Sequence, residues 1–193
     1  MARADLERWN RKYTDSVSHE AGRPDPLLLE HADLLCSRGP ALDVACGLGD
    51  NALYLAGLGH DVFALDISEA AIQRLVHRAR KHRLAVHAFV ADLDAWRPLA
   101  SRFDLVTVFR FLNRDLIEPL KRALRPGGLL IYRTWNTNHL VDKPDFRPEY
   151  LLAHGELTAL MTGLTRIASN DTPHNPAPDS WWVGLRPRTV NAN

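Results

Sequence analysis

Two glycines and a nearby carboxylate have the types and the spacing to bind a charged ligand. Gly47 and Gly49 lie between a strand-like run and a helix-like run, and without a Cβ they let the backbone turn tightly and approach a ligand closely. Asp43 lies just before them, within the strand-like run. A carboxylate there suits an ammonium group, whereas it would repel a pyrophosphate bound at the helix N-terminus. The stretch therefore predicts a site for a ligand with a positively charged end.

The same glycines leave a second interpretation open. The spacing Gly47-x-Gly49-x-x-Ala52 also fits the dinucleotide-binding fingerprint, and Asp66 lies where such sites have a ribose-binding acid. An NAD(P)-dependent oxidoreductase would therefore explain these residues. It would leave the acids of the first and third predicted strands without a role.

Three predicted strands carry an acid at or near their carboxyl ends, namely Asp43, Asp66 and Asp92. In a doubly wound sheet, ligands bind outside the carboxyl ends of the strands. Asp66 can accept hydrogen bonds from two ribose hydroxyls, Asp92 can accept one from an adenine amino group, and Leu93 can pack on the adenine ring. Together these residues predict binding of a nucleoside with a positively charged or amine-bearing tail.

Strand-like runs alternate with helix-like runs, which predicts a parallel sheet covered by helices. Asp50 and Asn51 have side chains that suit a helix start, and Ser68 is expected to cap the following helix. The linker 170–179 is too short and too rich in proline for a crossover helix, so the last two strands should form an antiparallel hairpin. We therefore predict an α/β fold with a doubly wound, mostly parallel seven-stranded sheet and helices on both faces. The predicted strands are a first run that begins at 41 and contains Asp43, followed by 61–66, 85–92, 103–109, 129–135, 164–169 and 180–186. The predicted helices are 26–36, 51–57, 69–80, 115–124 and 149–161, with a short helix near the N-terminus and a turn at 125–128.

Composition limits the class of protein and its partners. The chain has 193 residues, and its 24 Lys and Arg against 23 Asp and Glu give a net charge of +1. This balance supplies no field that would attract nucleic acid or an anionic membrane. Cys36 and Cys46 lack metal-ligand or redox-motif spacing, and no apolar run is long enough to cross a bilayer. We expect a soluble cytoplasmic protein with no metal and no nucleic-acid partner.

Five motifs follow one another in a fixed order. They are Asp43-Val-Ala-Cys-Gly-Leu-Gly49, Ala64-Leu-Asp-Ile-Ser68, Ala91-Asp-Leu93, Phe103-Asp-Leu-Val-Thr-Val108 and Leu124-Arg-Pro-Gly-Gly128. With them, over about residues 39–135, the chain resembles the class I S-adenosylmethionine-dependent methyltransferases, which have a Rossmann-like fold. The stretches Trp9–Tyr13 and Leu151–Leu157 are similar to small bacterial methyltransferases of the tellurite-resistance TehB group, although Asn10 and Lys12 stand where those relatives usually have an acid and an arginine.

The resemblance implies the cofactor S-adenosyl-L-methionine, with S-adenosyl-L-homocysteine as the product. It implies that the glycine loop wraps the methionine part, that Asp66 holds the ribose and that Asp92 holds the adenine amino group. Methyl transfer from a sulfonium is an in-line displacement, for which a protein mainly aligns two reactants and excludes water. The expected cofactor-binding residues are Tyr13, Asp43, Ala45, Cys46, Gly47, Gly49, Asn51, Asp66, Ile67, Ala91, Asp92, Leu93, Phe109 and Arg110.

The expected acceptor-positioning residues follow the fourth predicted strand. They are Arg110, Asn113 and Arg114, together with Tyr13 as a cover from the N-terminal segment, and Arg110 could hold an anionic acceptor by a bidentate contact. A helix-start role or a surface ion pair would explain Asn113 and Arg114 equally well. Trp135 could line the acceptor pocket or pack in a buried interface.

The remaining expectations concern organisation. Residues 1–24 should form an N-terminal helix and cover segment, and residues 25–190 a single methyltransferase domain. His19 is the one histidine expected near the site. The Asn/Asp-Pro-Pro-aromatic signature of nucleic-acid amino methyltransferases is absent after the fourth strand, which favours a small-molecule acceptor. The protein should act as a monomer or homodimer, and a non-catalytic sensor or partner domain that binds S-adenosylmethionine is a third interpretation.

Overall fold

The computed structural model describes residues 3–15, 22–36 and 39–188. Its seven strands belong to one mixed sheet, as the sequence predicted. The order across the sheet is third, second and first strand in the first part of the chain, and fourth, fifth, seventh and sixth in the second. The chain divides into two compact units, one reaching Trp96 and one starting at Arg97. None of the helices in these described ranges has the length and apolar character needed to cross a bilayer.

The first unit contains the glycine loop and all three strand-end acids. Its strands are parallel, with Ala41 of the first strand paired with Val62 of the second, and Val62 paired with Val86 of the third. The central strands are buried because helices follow each of them in the chain and pack back onto the sheet. Its elements in chain order are α1 (Arg3–Asp15), α2 (Pro26–Glu30), β1 (Pro40–Val44), α3 (Asp50–Gly57), β2 (Asp61–Asp66), α4 (Glu69–His82) and β3 (Val86–Val90).

The second unit contains the predicted acceptor-side residues. The first two of its strands are parallel. The last two pair antiparallel, with Thr165 opposite Leu185 and Ser169 opposite Trp182, and the last strand also pairs antiparallel with the second strand of this unit. This confirms the predicted terminal hairpin. Its elements are β4 (Phe103–Phe109), α5 (Arg114–Ala123), β5 (Leu124–Trp135), α6 (His139–Asp142), α7 (Glu156–Leu160), β6 (Thr165–Ser169) and β7 (Asp179–Leu185).

Two predicted helices are wrong in extent. The helix predicted over 26–36 ends at Glu30, because His31 leaves helical geometry at φ −111° and a 3₁₀ turn over Ala32–Leu35 follows. The helix predicted over 149–161 is reduced to a 3₁₀ turn at Pro148–Tyr150 and to α7. Between them the backbone N–H of Leu152 donates to the carbonyl of Trp135 (3.0 Å), so an extended pairing replaces the helical hydrogen bonds.

Two predicted boundaries also differ. The stretch 125–128, predicted as a turn, lies inside β5, where the pairing with β4 shifts register between Phe103 and Leu105. Gly127 adopts φ +83° there, and its N–H donates to the carbonyl of Arg186 (2.7 Å). The third strand stops at Val90, so Asp92 follows the strand instead of ending it.

Candidate functional site

The carboxylate at the end of β2 holds the glycine loop. Asp66 is 6 % exposed, and its Oδ2 accepts a hydrogen bond from the backbone N–H of Gly47 at 2.9 Å. Its Oδ1 accepts one from the N–H of Ser68 at 2.9 Å. Each carboxylate oxygen has a second lone pair, so the same side chain can also accept hydrogen bonds from a ligand's hydroxyls. Asp66 therefore has both a structural role and the capacity to bind a ribose.

The loop itself takes left-handed backbone conformations at three positions. Ala45, Gly47 and Gly49 have φ values of 55°, 53° and 78°. Such values are unusual for a residue with a Cβ, and strained backbone of this kind tends to cluster at ligand sites. A Cβ on Gly47 would lie 2.8 Å from the hydroxyl oxygen of Tyr13. The loop thus passes directly beside the predicted cover residue.

The start of α3 differs from the prediction. Asp50 and Asn51 do not cap it, because Gly49 occupies the N-cap position in a left-handed conformation. Asp50 forms an ion pair with Arg78 (2.7 Å), and Asn51 accepts a hydrogen bond from the backbone N–H of Asp25 (2.8 Å). Both partners are distant in the sequence, so local spacing could not reveal them.

Arg78 is a site residue that the sequence did not indicate. Its guanidinium donates from Nη1 to the carbonyl of Leu48 at 2.8 Å, in the middle of the glycine loop, and from Nη2 it contacts Asp50. The side chain thereby ties α4 to the loop and to the start of α3. On the sequence Arg78 is one of several basic residues in a helix, and nothing local distinguishes it.

Two buried carboxylates give this part of the first unit a negative character. Asp43 is 1 % exposed. Burial raises the pKa of the Cys46 thiol well above its ordinary value, and the nearby charges of Asp43 and Asp66 raise it further. Burial likewise raises the pKa of Asp66, against the lowering effect of the hydrogen bonds from Ser68 and Gly47. Cys46 is therefore a neutral side chain of the loop, and the site favours a cationic ligand group.

Helix α1 lies over the start of α4. Asn10 Oδ1 accepts a hydrogen bond from the Ser68 hydroxyl at 2.8 Å. Trp9 and Tyr13 stack at 5.9 Å between ring centroids, and Lys12 Nζ lies 4.4 Å from the centroid of the Trp9 ring. The N-terminal helix thus carries Tyr13 to the glycine loop. His19 lies outside the described residues.

The segment after β3 reaches the same strand end. The N–H of Ala91 donates to the carbonyl of Asp66 at 2.9 Å. Leu93 is 1 % exposed, whereas Asp92 is exposed and its Oδ1 accepts a hydrogen bond from the N–H of Asp94 at 3.0 Å. The first unit therefore connects Tyr13, the loop, Asp66 and Ala91 through neighbouring contacts. Asn51 is instead turned towards Asp25.

In the second unit, Phe109 and Arg110 end β4. Phe109 is partly buried and pairs with Arg133 in the sheet. Arg110 is exposed, has φ 56° and donates its backbone N–H to the carbonyl of Arg133 at 2.7 Å. Its guanidinium carbon lies 5.6 Å from the centroid of the Trp135 ring. Arg110 and Trp135 thus lie side by side at the carboxyl ends of β4 and β5.

Asn113 and Arg114 make contacts that explain them structurally. Asn113 caps α5, since its Oδ1 accepts a hydrogen bond from the N–H of Leu116 at 3.2 Å. Arg114 donates from Nε and Nη2 to the two carboxylate oxygens of Glu156 at 2.5 and 3.1 Å, and from Nη2 to the carbonyl of Leu151 at 2.9 Å. The hydrogen bond from Arg114 lowers the pKa of Glu156. Both side chains have the helix-start and ion-pair roles left open by the sequence.

The residues of the first unit fit S-adenosylmethionine. Gly47 presents bare backbone and has no room for a Cβ beside Tyr13. The two buried carboxylates suit an amino-acid ammonium and a sulfonium, and Asp66 has lone pairs for ribose hydroxyls. A pyrophosphate would meet the charge of Asp43 instead. In the described ranges, no group of His, Cys, Asp and Glu side chains is arranged to hold a metal ion.

Comparisons with known proteins agree with this chemistry. Residues 41–128 match the family model described as a methyltransferase domain. Malonyl-[acyl-carrier protein] O-methyltransferase of Enterobacter lignolyticus is 32% identical over 137 residues, which cover 62% of this chain and 53% of that protein. The probable S-adenosyl-L-methionine-dependent methyltransferase TehB of Haemophilus influenzae is 34% identical over 94 residues, covering 45% of this chain and 32% of TehB. The chain thus spans about half or less of the length of these curated relatives.

Solved structures show the same fold. The crystal structure of TehB from Haemophilus influenzae superposes with a TM-score of 0.68 at 19% identity, covering 94% of this chain and 67% of that one. Geranyl diphosphate C-methyltransferase from Streptomyces coelicolor A3(2) has a TM-score of 0.68 at 16% identity, covering 96% and 100%. The chain therefore shares the fold of these methyltransferases. Its residues 41–128 are similar to a methyltransferase domain, the chain resembles TehB, and these relatives do not favour the oxidoreductase or sensor interpretations.

Proposed function

We propose that the protein transfers a methyl group from S-adenosyl-L-methionine to a small-molecule acceptor. The observation that carries the proposal is the contact between Asp66 and Gly47, which holds a strained glycine loop beside a buried strand-end carboxylate. When bound, S-adenosylmethionine would supply a methyl group on a positively charged sulfonium, which a nucleophile takes up while the carbon–sulfur electron pair stays on sulfur.

The residues of the first unit have separate tasks in this proposal. Asp66 binds the ribose hydroxyls while keeping the loop in place, and the charge of Asp43 favours the cationic end of the ligand. Arg78 fixes the loop from outside by its hydrogen bond to Leu48. Tyr13 covers the loop and excludes water. We assign cofactor contacts to the remaining predicted residues of this unit, with the exception of Asn51, which has Asp25 as its partner.

Of the three acceptor-positioning residues predicted after the fourth strand, we assign the acceptor contact to one, and Tyr13 keeps its predicted role as a cover. Arg110 is exposed at the end of β4 and suits an anionic acceptor. Asn113 and Arg114 have structural roles. Asn113 caps helix α5, and Arg114 holds the segment 149–156 in place. We further propose a cytoplasmic monomer or homodimer without a nucleic-acid partner, with residues 25–190 as one methyltransferase domain and 1–24 as its cover segment.

The test combines a substrate screen with one matched pair of variants. Purified protein is incubated with S-adenosylmethionine and panels of carboxylates, phenols, thiols, amines and oxyanions of tellurium and selenium, and release of S-adenosylhomocysteine is measured. Asp66→Asn should weaken S-adenosylhomocysteine binding by about 1 to 3 kcal/mol, because the amide cannot accept from both backbone N–H groups and the ribose. Asp61→Asn, at the exposed opposite end of β2, is the control.

Binding without turnover of any acceptor in the panel would favour a sensor. Equal affinities of the Asp66 and Asp61 variants for S-adenosylhomocysteine would mean that the ribose does not bind at the end of β2.

A further inference from the structure

Three aromatic rings follow one another beyond the carboxyl end of β5. Trp135 and His139 stack with 4.2 Å between ring centroids and an interplanar angle of 10°. Phe146 meets His139 edge-on at 4.8 Å and 82°. All three side chains are partly exposed. The three rings form a row, hereafter the aromatic ladder, which the cofactor assignment does not use.

The guanidinium of Arg110 lies beside the aromatic ladder. Arg110 is exposed, and its guanidinium carbon lies 5.6 Å from the Trp135 ring centroid. Its φ of 56° is uncommon for a long side chain, and the hydrogen bond from its backbone N–H to Arg133 at 2.7 Å holds it there. A strained backbone held in place next to a charged side chain is typical of ligand sites.

Three other arginines of this unit differ from Arg110 because a carboxylate neutralises them. Arg133 pairs with Asp179 at 2.6 Å, Arg114 with Glu156 at 2.5 Å and Arg147 with Glu149 at 2.7 Å. Within the part of the chain that the structure describes, Arg110 has Trp135 as its neighbour and no such ion pair. Its charge is therefore available to an anionic ligand.

We propose that Arg110 and the aromatic ladder bind the methyl acceptor, and that this acceptor is a small planar molecule, aromatic or conjugated, with an anionic group. The assignment rests on the proposed methyl transfer. The anionic group would meet the guanidinium, which binds carboxylates in a bidentate manner, and the planar part would stack on the aromatic rings.

Other acceptor classes use less of this surface. A small inorganic oxyanion would use Arg110 and leave the aromatic ladder without a role. A cationic amine would be repelled by Arg110, and an aliphatic chain would gain no stacking energy from the rings. A planar anion uses both features.

The test measures binding of 2-naphthoate to the full chain saturated with S-adenosylhomocysteine, by calorimetry. Cyclohexanecarboxylate has the charge without the ring, and 2-naphthalenemethanol has the ring without the charge. We expect 2-naphthoate to bind about tenfold more tightly than either. Failure of 2-naphthoate to bind, or equal affinity for all three probes, overturns the proposal.

Variants locate the binding. Trp135→Leu and Arg110→Gln should each weaken 2-naphthoate binding about tenfold, whereas Trp135→Phe should retain most of it because a ring remains. Tyr150→Leu is the matched control, since Tyr150 belongs to a second arginine–aromatic pair of the same unit, with Arg147 at 4.7 Å. Affinity that is unchanged in both test variants, or that falls equally in the control, contradicts the assignment.

One further measurement separates this inference from the proposed function. S-adenosylhomocysteine affinity is determined on the same variants without the probe. If S-adenosylhomocysteine fails to bind the wild-type chain, the proposed methyl transfer fails. If it binds and 2-naphthoate does not, only the acceptor assignment fails.

Discussion

Replacing Arg114 by alanine tests whether this residue stabilises the fold or binds the methyl acceptor. The guanidinium contacts both oxygens of Glu156 at 2.5 and 3.1 Å and the carbonyls of Leu151 and Glu149 at 2.9 and 3.1 Å. Removing it leaves Glu156 without its cation and the carbonyl of Leu151, a residue that is 3 % exposed, without this donor. The expected result is a loss of stability with little effect on ligand binding.

The size of the loss follows from exposure. Hydrogen bonds to charged groups contribute about 1.5–3 kcal/mol when well buried, and exposed ion pairs about 0–1 kcal/mol. The Arg114 side chain is 42% exposed and that of Glu156 23%. Because the pair is only partly screened, we expect Arg114→Ala to lower the free energy of unfolding by about 1 to 2 kcal/mol. For a chain of this size that corresponds to a melting temperature lower by roughly 2–8 °C.

Arg147→Ala is the matched control for the stability measurement. Arg147 also pairs with a carboxylate, Glu149, at 2.7 Å, but its side chain and that of Glu149 are 48% and 53% exposed. The thermal unfolding of both variants is compared with that of the wild type, and we expect the control to change stability by less than about 0.5 kcal/mol. Equal melting temperatures for Arg114→Ala and the wild type would refute the anchoring role.

The pH dependence of the Arg114 effect has a definite sign. Its hydrogen bond lowers the pKa of Glu156 in the folded state. The stabilisation is therefore fully present above the ordinary pKa range of glutamate and is lost as the pH falls through the lowered folded-state pKa. The difference in melting temperature between wild type and Arg114→Ala should shrink in acid.

Three further predictions concern the first unit. Gly47→Ala should destabilise the chain and weaken S-adenosylhomocysteine binding, because Gly47 has φ +53° and an added Cβ would lie 2.8 Å from the Tyr13 hydroxyl. The control Gly57→Ala has open space around the added Cβ. It should change neither the melting temperature nor the affinity measured by calorimetry. Burial raises the pKa of Asp66. As the pH is lowered, the affinity for S-adenosylhomocysteine measured by calorimetry should therefore begin to fall at a higher pH than an ordinary aspartate would give. An affinity that does not change with pH would argue against a contact between Asp66 and the ribose. Asn10→Ala removes the acceptor of the hydrogen bond from the Ser68 hydroxyl. Thermal unfolding should show a free energy of unfolding lower by about 0.5 to 1.5 kcal/mol. An unchanged free energy of unfolding would mean that other contacts hold α1.

The strands and the glycine loop could be predicted because their signals are local. The buried runs 61–66 and 103–109 give strands with the predicted bounds, and Ser68 caps α4 through a hydrogen bond from the N–H of Ala71 at 3.2 Å. The linker 170–179 separates two strands that do pair antiparallel. In each case the residues that decide the structure lie within a few positions of one another.

The remaining features depend on partners far along the chain. Asn51 has the side chain of a helix cap, but its partner is Asp25. The predicted helix over 149–161 is interrupted where Leu152 pairs with Trp135 and where Arg114 binds the carbonyls of 149 and 151. A short stretch of sequence shows its local propensity but does not show the distant contacts that override it. The aromatic ladder could not be predicted either, because helix α6 and a loop separate Phe146 from Trp135.

Titration calorimetry with S-adenosylhomocysteine and NADPH tests the central claim most directly. The claim is that the strained glycine loop, buried Asp43 and Asp66 bind an adenosine with a cationic amino-acid tail. One S-adenosylhomocysteine per chain should bind with a micromolar dissociation constant, and NADPH should produce no heat of binding. Tight NADPH binding without S-adenosylhomocysteine binding would contradict the account and return the glycine loop to a dinucleotide site.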